Sequence, residues 1–193
     1  MNHTYNMKKK FQIEVPEGVD KVLLHTCCAP CSSAIIECLM QHGITPIIYY
    51  CNPNIYPLEE YNIRKEECTR YALSLGLEII DADYNHEEWL CQMKGMENEP
   101  ERGGRCLRCF KMRLKDTARY AHERGLKVIT TTLASSRWKS LEQINEAGMF
   151  AVSFYPDVIW WDQNWRKGGL SERRIAIIKE YDVDKNSHEV KLS

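Results

Sequence analysis

Apolar and polar positions follow two periods in turn along this chain. Val22–His25 (VLLH), Thr45–Cys51 (TPIIYYC), Leu77–Ala82 (LEIIDA) and Lys127–Leu133 (KVITTTL) are short apolar or β-branched runs and read as buried strands. Between them, apolar residues recur at helical spacing. Helices are predicted over Ala34–Gln41, Leu58–Leu75, His86–Met93, Arg105–Arg124 and Trp138–Ala147. Ser32 and Ser33 offer N-caps to the first of these, and Gly43, Gly76, Gly125 and Gly148 mark helix ends. The stretches 52–57 (NPNIYP) and 95–104 carry the Pro, Gly and Asn of turns and loops.

Strand alternates with helix four times, which predicts βαβ units, right-handed crossovers and a parallel sheet. The expected fold is one α/β domain with a three-layer, Rossmann-like (HUP-like) core over about 20–152. Residues 153–193 are expected to add a small helical and loop appendage. It would hold an aromatic loop (Phe154, Tyr155, Trp160, Trp161, Trp165), a helix near Ser171–Lys179 and a polar tail.

Composition changes this picture in one respect. Nine cysteines in 193 residues is high for a chain whose N-terminus has a basic run, Lys8–Lys10, but no apolar leader segment. A cytoplasmic protein is expected, with thiols kept reduced for metal, cluster or redox chemistry. No apolar run is long enough to cross a membrane. The net charge of −1 requires any nucleic-acid partner to be held by a local basic patch.

Two cysteine groups carry the chemistry. Cys27-Cys28-x-x-Cys31 follows the first strand, and Cys106-x-x-Cys109 lies in the first turn of the helix after the third strand and its loop. Both connections leave the carboxyl edge of a parallel sheet, where open α/β sheets bind ligands, so the two groups are expected to converge. Helix N-termini favour thiolates, and Arg102, Arg105, Arg108, Lys111 and Arg113 add positive charge. Four thiolates suit zinc or an iron–sulfur cluster. Adjacent Cys27 and Cys28 are awkward ligands for one tetrahedral ion and natural ones for separate corners of a cluster; a thiol redox or structural role is the third reading. Cys38, Cys68 and Cys91 are expected to be small buried hydrophobes, and Cys51 ends a strand on the same edge.

The stretch Leu24-His25-Thr26-Cys27-Cys28-Ala29-Pro30-Cys31-Ser32 resembles the opening motif of the QueH-type epoxyqueuosine reductases. The resemblance extends through Asn52-Pro53-Asn54-Ile55, Arg105-Cys106-x-x-Cys109, Thr130-Thr131-Thr132-Leu133, Phe154-Tyr155-Pro156-Asp157 and Trp165-Arg166-Lys167-Gly168-Gly169. It implies an oxidoreductase for the last step of queuosine synthesis, acting on tRNA that carries epoxyqueuosine. The implied cofactors are a 4Fe–4S cluster on Cys27, Cys28, Cys106 and Cys109, with an additional iron near Cys31. An electron donor of unidentified nature is also implied. Members of this family carry a C-terminal Cys-Gly-Cys, whereas no cysteine follows Cys109 here. Asp182, Asp184 and His188 are the other potential ligands in that region. The competing expectations are a catalytically impaired member and a zinc-stabilised RNA-binding module without catalysis. An ATP-dependent thiolation enzyme is disfavoured, because its pyrophosphate loop needs glycines where Cys27–Cys31 has none.

Asp157 and Tyr155 are the expected proton donors, if the FYPD segment folds over the site; a packed aromatic loop is the alternative. Trp160, Trp161 and Trp165 beside Arg166, Lys167, Arg173 and Arg174 form one expected RNA contact, or else pack onto the domain. The basic run 102–115 is a second, or a solvated helix face. Tyr61 and Arg64 are expected near the pocket.

Overall fold

The first apolar run becomes the middle of the sheet. In the computed structural model, which describes residues 11–180, β1 (Lys21–Thr26) pairs with β2 (Thr45–Tyr50) on one side and β4 (Val128–Thr131) on the other. β3 (Ile79–Asp81) extends the sheet beyond β2, and β5 (Ile159–Trp160) extends it beyond β4. The order is β3-β2-β1-β4-β5 and every pair is parallel. β1 is covered on both faces, which explains its unbroken apolar run.

The chain moves outward from β1 to β3, then returns to start again on the other side at β4. Right-handed crossovers therefore put the helices after β1 and β2 on one face and those after β3 and β4 on the opposite face, while the last helix, which follows β5, returns to the first face. α1 (Ala29–Gln41) packs against α2 (Leu58–Ser74) and α6 (Leu170–Glu180). α4 (Gly104–Glu123) packs along α5 (Leu141–Val152) and touches the short α3 (His86–Met93). The result is the expected three-layer Rossmann-like architecture. Register aligns the strand ends: Thr26 lies opposite Tyr50, and His25 opposite both Tyr49 and Thr131. Cys27, Cys51 and Thr132 therefore emerge side by side at the point where strand order reverses.

Three elements differ from the sequence expectation. α1 begins at Ala29, five residues early, with Pro30 in its first turn, where a missing N–H costs nothing. Ser32 does not cap it; its hydroxyl donates back to the carbonyls of Cys28 and Ala29. α5 runs through Gly148 to Val152. That glycine is no helix stop: a Cβ there would overlap the Trp160 indole, so the position needs the missing side chain. Finally, the expected aromatic loop contains β5, too short to show a period. Trp160, Trp161 and Trp165 are all buried. Trp161 donates its indole N–H to the Glu14 carbonyl, and Trp165 donates to the Thr130 hydroxyl. They are core, not an RNA platform. Asp182, Asp184 and His188 lie outside the described residues.

Candidate metal centre at the carboxyl edge of the sheet

Cys27 follows the last residue of β1, Cys28 is the extended residue that caps α1 (φ −168°, ψ 160°), and Cys31 sits in the first turn of that helix. This strand–cap–helix sequence folds the three side chains inward. Their sulfurs all lie within 4.8 Å of one another, with Cys27 and Cys28 3.8 Å apart. Thr132, just past β4, closes the site from the other side of the switch point. It accepts the Cys27 backbone N–H at 3.4 Å and turns its hydroxyl to the Cys27 sulfur at 3.6 Å.

Among the three thiols, Cys27 is the one biased toward the thiolate. Hydrogen bonding from Cys28, Cys31 and Thr132, with the nearby Arg113 guanidinium, holds the Cys27 thiol well below its ordinary range. The same contacts, together with burial, push Cys28 up, and the Cys27 thiolate pushes Cys31 up. A thiolate whose neighbours donate to it is a donor set suited to a soft cation, which replaces the shared protons.

His25, fully buried beneath the cysteines, ties three strand ends together. Its Nε2 lies 3.1 Å from the Cys51 carbonyl and its Nδ1 2.7 Å from the Thr131 hydroxyl. Burial, and secondarily Arg113, lower its pKa to about 3, so the ring is neutral. A carbonyl only accepts, so Nε2 carries the proton and Nδ1 accepts from Thr131.

The second pair arrives on α4. Cys106 and Cys109 occupy its first two turns, outside the group of three. Arg113, one turn beyond Cys109, is buried and docks the helix to the sheet edge. It donates to the Cys51 carbonyl at 3.0 Å and to the Asn52 side-chain oxygen, while the Asn52 amide donates to the Thr26 carbonyl at 2.9 Å. Cys109 accepts the Trp89 indole N–H at 3.3 Å. Burial raises the Cys106 thiol, opposed by a hydrogen bond from the Arg102 backbone.

A family model described as "Epoxyqueuosine reductase QueH" matches residues 22–187. The chain belongs to the QueH family. Relatives with that same name include one from Histophilus somni, 53% identical over 168 residues, covering 87% of this chain and 69% of the relative. One from Acinetobacter baylyi is 49% identical over 172 residues, covering 89% and 79%. One from Thermotoga maritima is 32% identical over 170 residues and covers 86% of each.

Within this QueH chain, the other expected site residues are spread more widely. Asp157 and Tyr155 precede β5, at the amino edge of the sheet. Asp157 is bonded to His122 at 2.7 Å, and the Tyr155 ring lies 5.2 Å from that of His122. His122 is sixteen residues along α4 from Cys106, about 24 Å down the helix axis. The FYPD segment therefore does not fold over the cysteines. Tyr61 is buried and donates to Asp81, whereas Arg64 pairs with Glu60 yet stays near enough to Cys28 and Cys27 for their charges to act on it, as expected. Arg173 is held by Glu37 and Glu180. Lys111 pairs with Glu146, and Lys115 lies 4.1 Å from the centre of the Phe154 ring.

Of the remaining cysteines, Cys38 and Cys68 are buried as expected, the former pushed up to about 12 by burial. Cys91 is exposed, against expectation, and Met93 is the buried residue of α3. Cys51 turns away from the three thiols toward Asp116, 3.6 Å off. It lines a groove of about 650 Å³ beside α4 that Tyr155 also lines. Sequence reasoning missed Thr132 and Trp89 as sulfur partners: Thr132 belongs to the motif 130–133 but its partner is set by the fold, and Trp89 lies in no motif.

No helix among the described residues is long and apolar enough to cross a membrane.

Proposed function

We propose that this chain reduces epoxyqueuosine to queuosine in a tRNA anticodon loop in the cytoplasm. It would do so as an iron–sulfur enzyme, with Cys27, Cys28, Cys106 and Cys109 as cluster ligands and Cys31 beside a further iron. The observation that carries the reading is the meeting of Cys27, Cys28 and Cys31 at the sheet's switch point, with one thiolate already favoured. A cluster bound there supplies electrons singly, and a neighbouring iron supplies a Lewis acid for an epoxide oxygen.

The protein's own part is positional and electrostatic. Thr132 and the two neighbouring thiols bias Cys27 toward the thiolate. Neutral His25 fixes the three strand ends without adding charge beneath the sulfurs. Arg113 keeps the N-terminal turns of α4 against the sheet edge and places a buried cation near the thiolate. Trp89 and the Arg102 backbone direct N–H groups at the sulfurs of the second pair. Such hydrogen bonds favour the more negative, reduced state of a thiolate-bound cluster.

The test is anaerobic reconstitution with iron and sulfide, followed by turnover on tRNA carrying epoxyqueuosine with an added chemical reductant. The expected preparation is brown and converts the base. Cys106→Ala should abolish the chromophore while Cys38→Ala retains it, and Cys31→Ala should lower iron without lowering sulfide. A colourless protein with stoichiometric zinc would overturn the proposal in favour of a structural zinc module.

A further inference from the structure

Several guanidiniums in the described part of the chain are neutralised by carboxylates. Arg64 has Glu60, Arg119 has Asp116 and Glu123, and Arg173 has Glu37 and Glu180. Beside the N-terminus of α4 the pattern is different. Arg102, Arg137 and Arg166 lie close enough to repel one another, and among the described residues none is within ion-pair distance of a carboxylate. Lys139, in the same loop, takes the nearby Glu101 at 3.6 Å.

What holds these arginines is backbone. Arg102 donates to the carbonyls of Arg137 (2.8 Å) and Trp138 (3.0 Å), and Arg166 donates to that of Lys139 (2.7 Å). Two guanidiniums thus grip three consecutive carbonyls and keep their own charge. The Arg166 Nε is buried with no hydrogen-bond partner. Arg102, next to Gly103 at the helix start, adopts a left-handed backbone (φ 67°) that a non-glycine residue takes at a cost. Burial and the two neighbouring arginines lower the Arg166 pKa, as expected where like charges crowd without an anion.

The gripped loop presents one more group. Trp138 is 77% exposed, more than any other large apolar side chain described, while its backbone is fixed by Arg102 at the carbonyl and by Ser136 at the N–H. An open aromatic face on a pinned backbone, amid guanidiniums without carboxylates, is the combination that takes unstacked bases and phosphates of single-stranded RNA. Arg102 is four residues before Cys106, and the same loop begins at Thr132, which touches Cys27.

We infer that Arg102, Arg137 and Arg166 bind phosphodiesters of an RNA loop and that Trp138 stacks on one of its bases, at the rim of the cysteine centre. This assignment rests on the proposed function and replaces the buried Trp160, Trp161 and Trp165 as the RNA contact.

The test uses the reconstituted full chain and a fluorescently labelled, unmodified anticodon stem–loop, with affinity measured by anisotropy across a salt series. Arg137 and Trp138 are exposed, so Arg137→Ala and Trp138→Ala should keep fold and iron content. Arg137→Ala should weaken binding and reduce the log–log salt slope by about 0.7, the contribution of one phosphate contact in a single strand. Trp138→Ala should weaken binding about tenfold and leave the slope unchanged, as the loss of one stacked base does. Arg119→Ala, in a paired cluster on α4, is the control and should match wild type. Variants at 137 and 138 that bind RNA like wild type overturn the assignment alone. If they also lose turnover with a protein reductant but not with a chemical one, the surface docks an electron donor instead. A wild-type chain with no affinity for RNA overturns both this assignment and the function beneath it.

Discussion

The two cysteine groups are built differently. Cys27, Cys28 and Cys31 are gathered by local geometry: a strand end, one extended capping residue and a first helical turn bring their sulfurs within 4.8 Å. From a distant segment, Thr132 alone adds a hydrogen bond to them among the described residues. Cys106 and Cys109 owe their place to tertiary contacts. They depend on Arg113 gripping the Cys51 carbonyl and Asn52, on Trp89 reaching from α3, and on α5 packed along the helix. The first group is thus formed by the local geometry of β1 and α1, and the second is placed by the docking of a long helix. Damage to that docking should strip the second half and spare the first.

Arg113→Met is expected to separate the halves most sharply. It leaves the Cys51 carbonyl and the Asn52 oxygen without their buried donor and should cost about 3 kcal/mol of stability in urea unfolding. The variant should fail to hold an iron–sulfur chromophore, while its three local thiols still bind cadmium with a sulfur-to-metal absorption band. If cadmium binding is lost together with the chromophore, the first group is not locally formed. Gly148→Ala acts from further away, forcing a methyl group into the Trp160 ring. A loss of about 2 kcal/mol is expected, because α5 and β5 must separate; an unchanged unfolding midpoint would show that α5 does not brace the sheet there.

Trp89→Phe should be milder. The ring remains, but the N–H to Cys109 is gone. Iron and sulfide content should hold, and the cluster's midpoint potential, measured by anaerobic redox titration, should move negative. A potential equal to wild type would mean that the indole does not act on the sulfur. The smallest effect is reserved for Asp157→Asn. It removes the charge from an exposed contact with His122 at the opposite edge of the sheet and should leave chromophore and turnover as they were. A large loss of turnover there would restore the FYPD segment to the active site.

Much of this is legible in the residues, and for identifiable reasons. The central strands carry unbroken apolar runs because they are covered on both faces, so Val22–His25 and Lys127–Leu133 announce themselves. The cysteine motifs are contiguous, and the parallel topology sends them to one edge. Legibility ends where a position is determined by what lies across from it. Gly148 reads as a helix stop until Trp160 is seen against it. β5 is two residues long and has no period to detect. The tryptophans after residue 159 have the composition of a nucleic-acid contact and the burial of a core, whereas Trp138, which nothing in its neighbourhood singles out, stands in solvent. For Asp157 the expectation fails on direction: a residue before a parallel strand lies at the edge opposite one that comes after it.

Three sulfurs this close, one of them biased toward the thiolate, also form a trap for air. Cys27 and Cys31 are both partly open to solvent, and a thiolate near a second thiol is the arrangement that two-electron oxidants convert to a bridge. Metal-free protein handled aerobically should therefore lose titratable thiols in pairs and refuse iron until a dithiol reductant restores them. Storage history, as much as mutation, will decide whether a given preparation can be loaded.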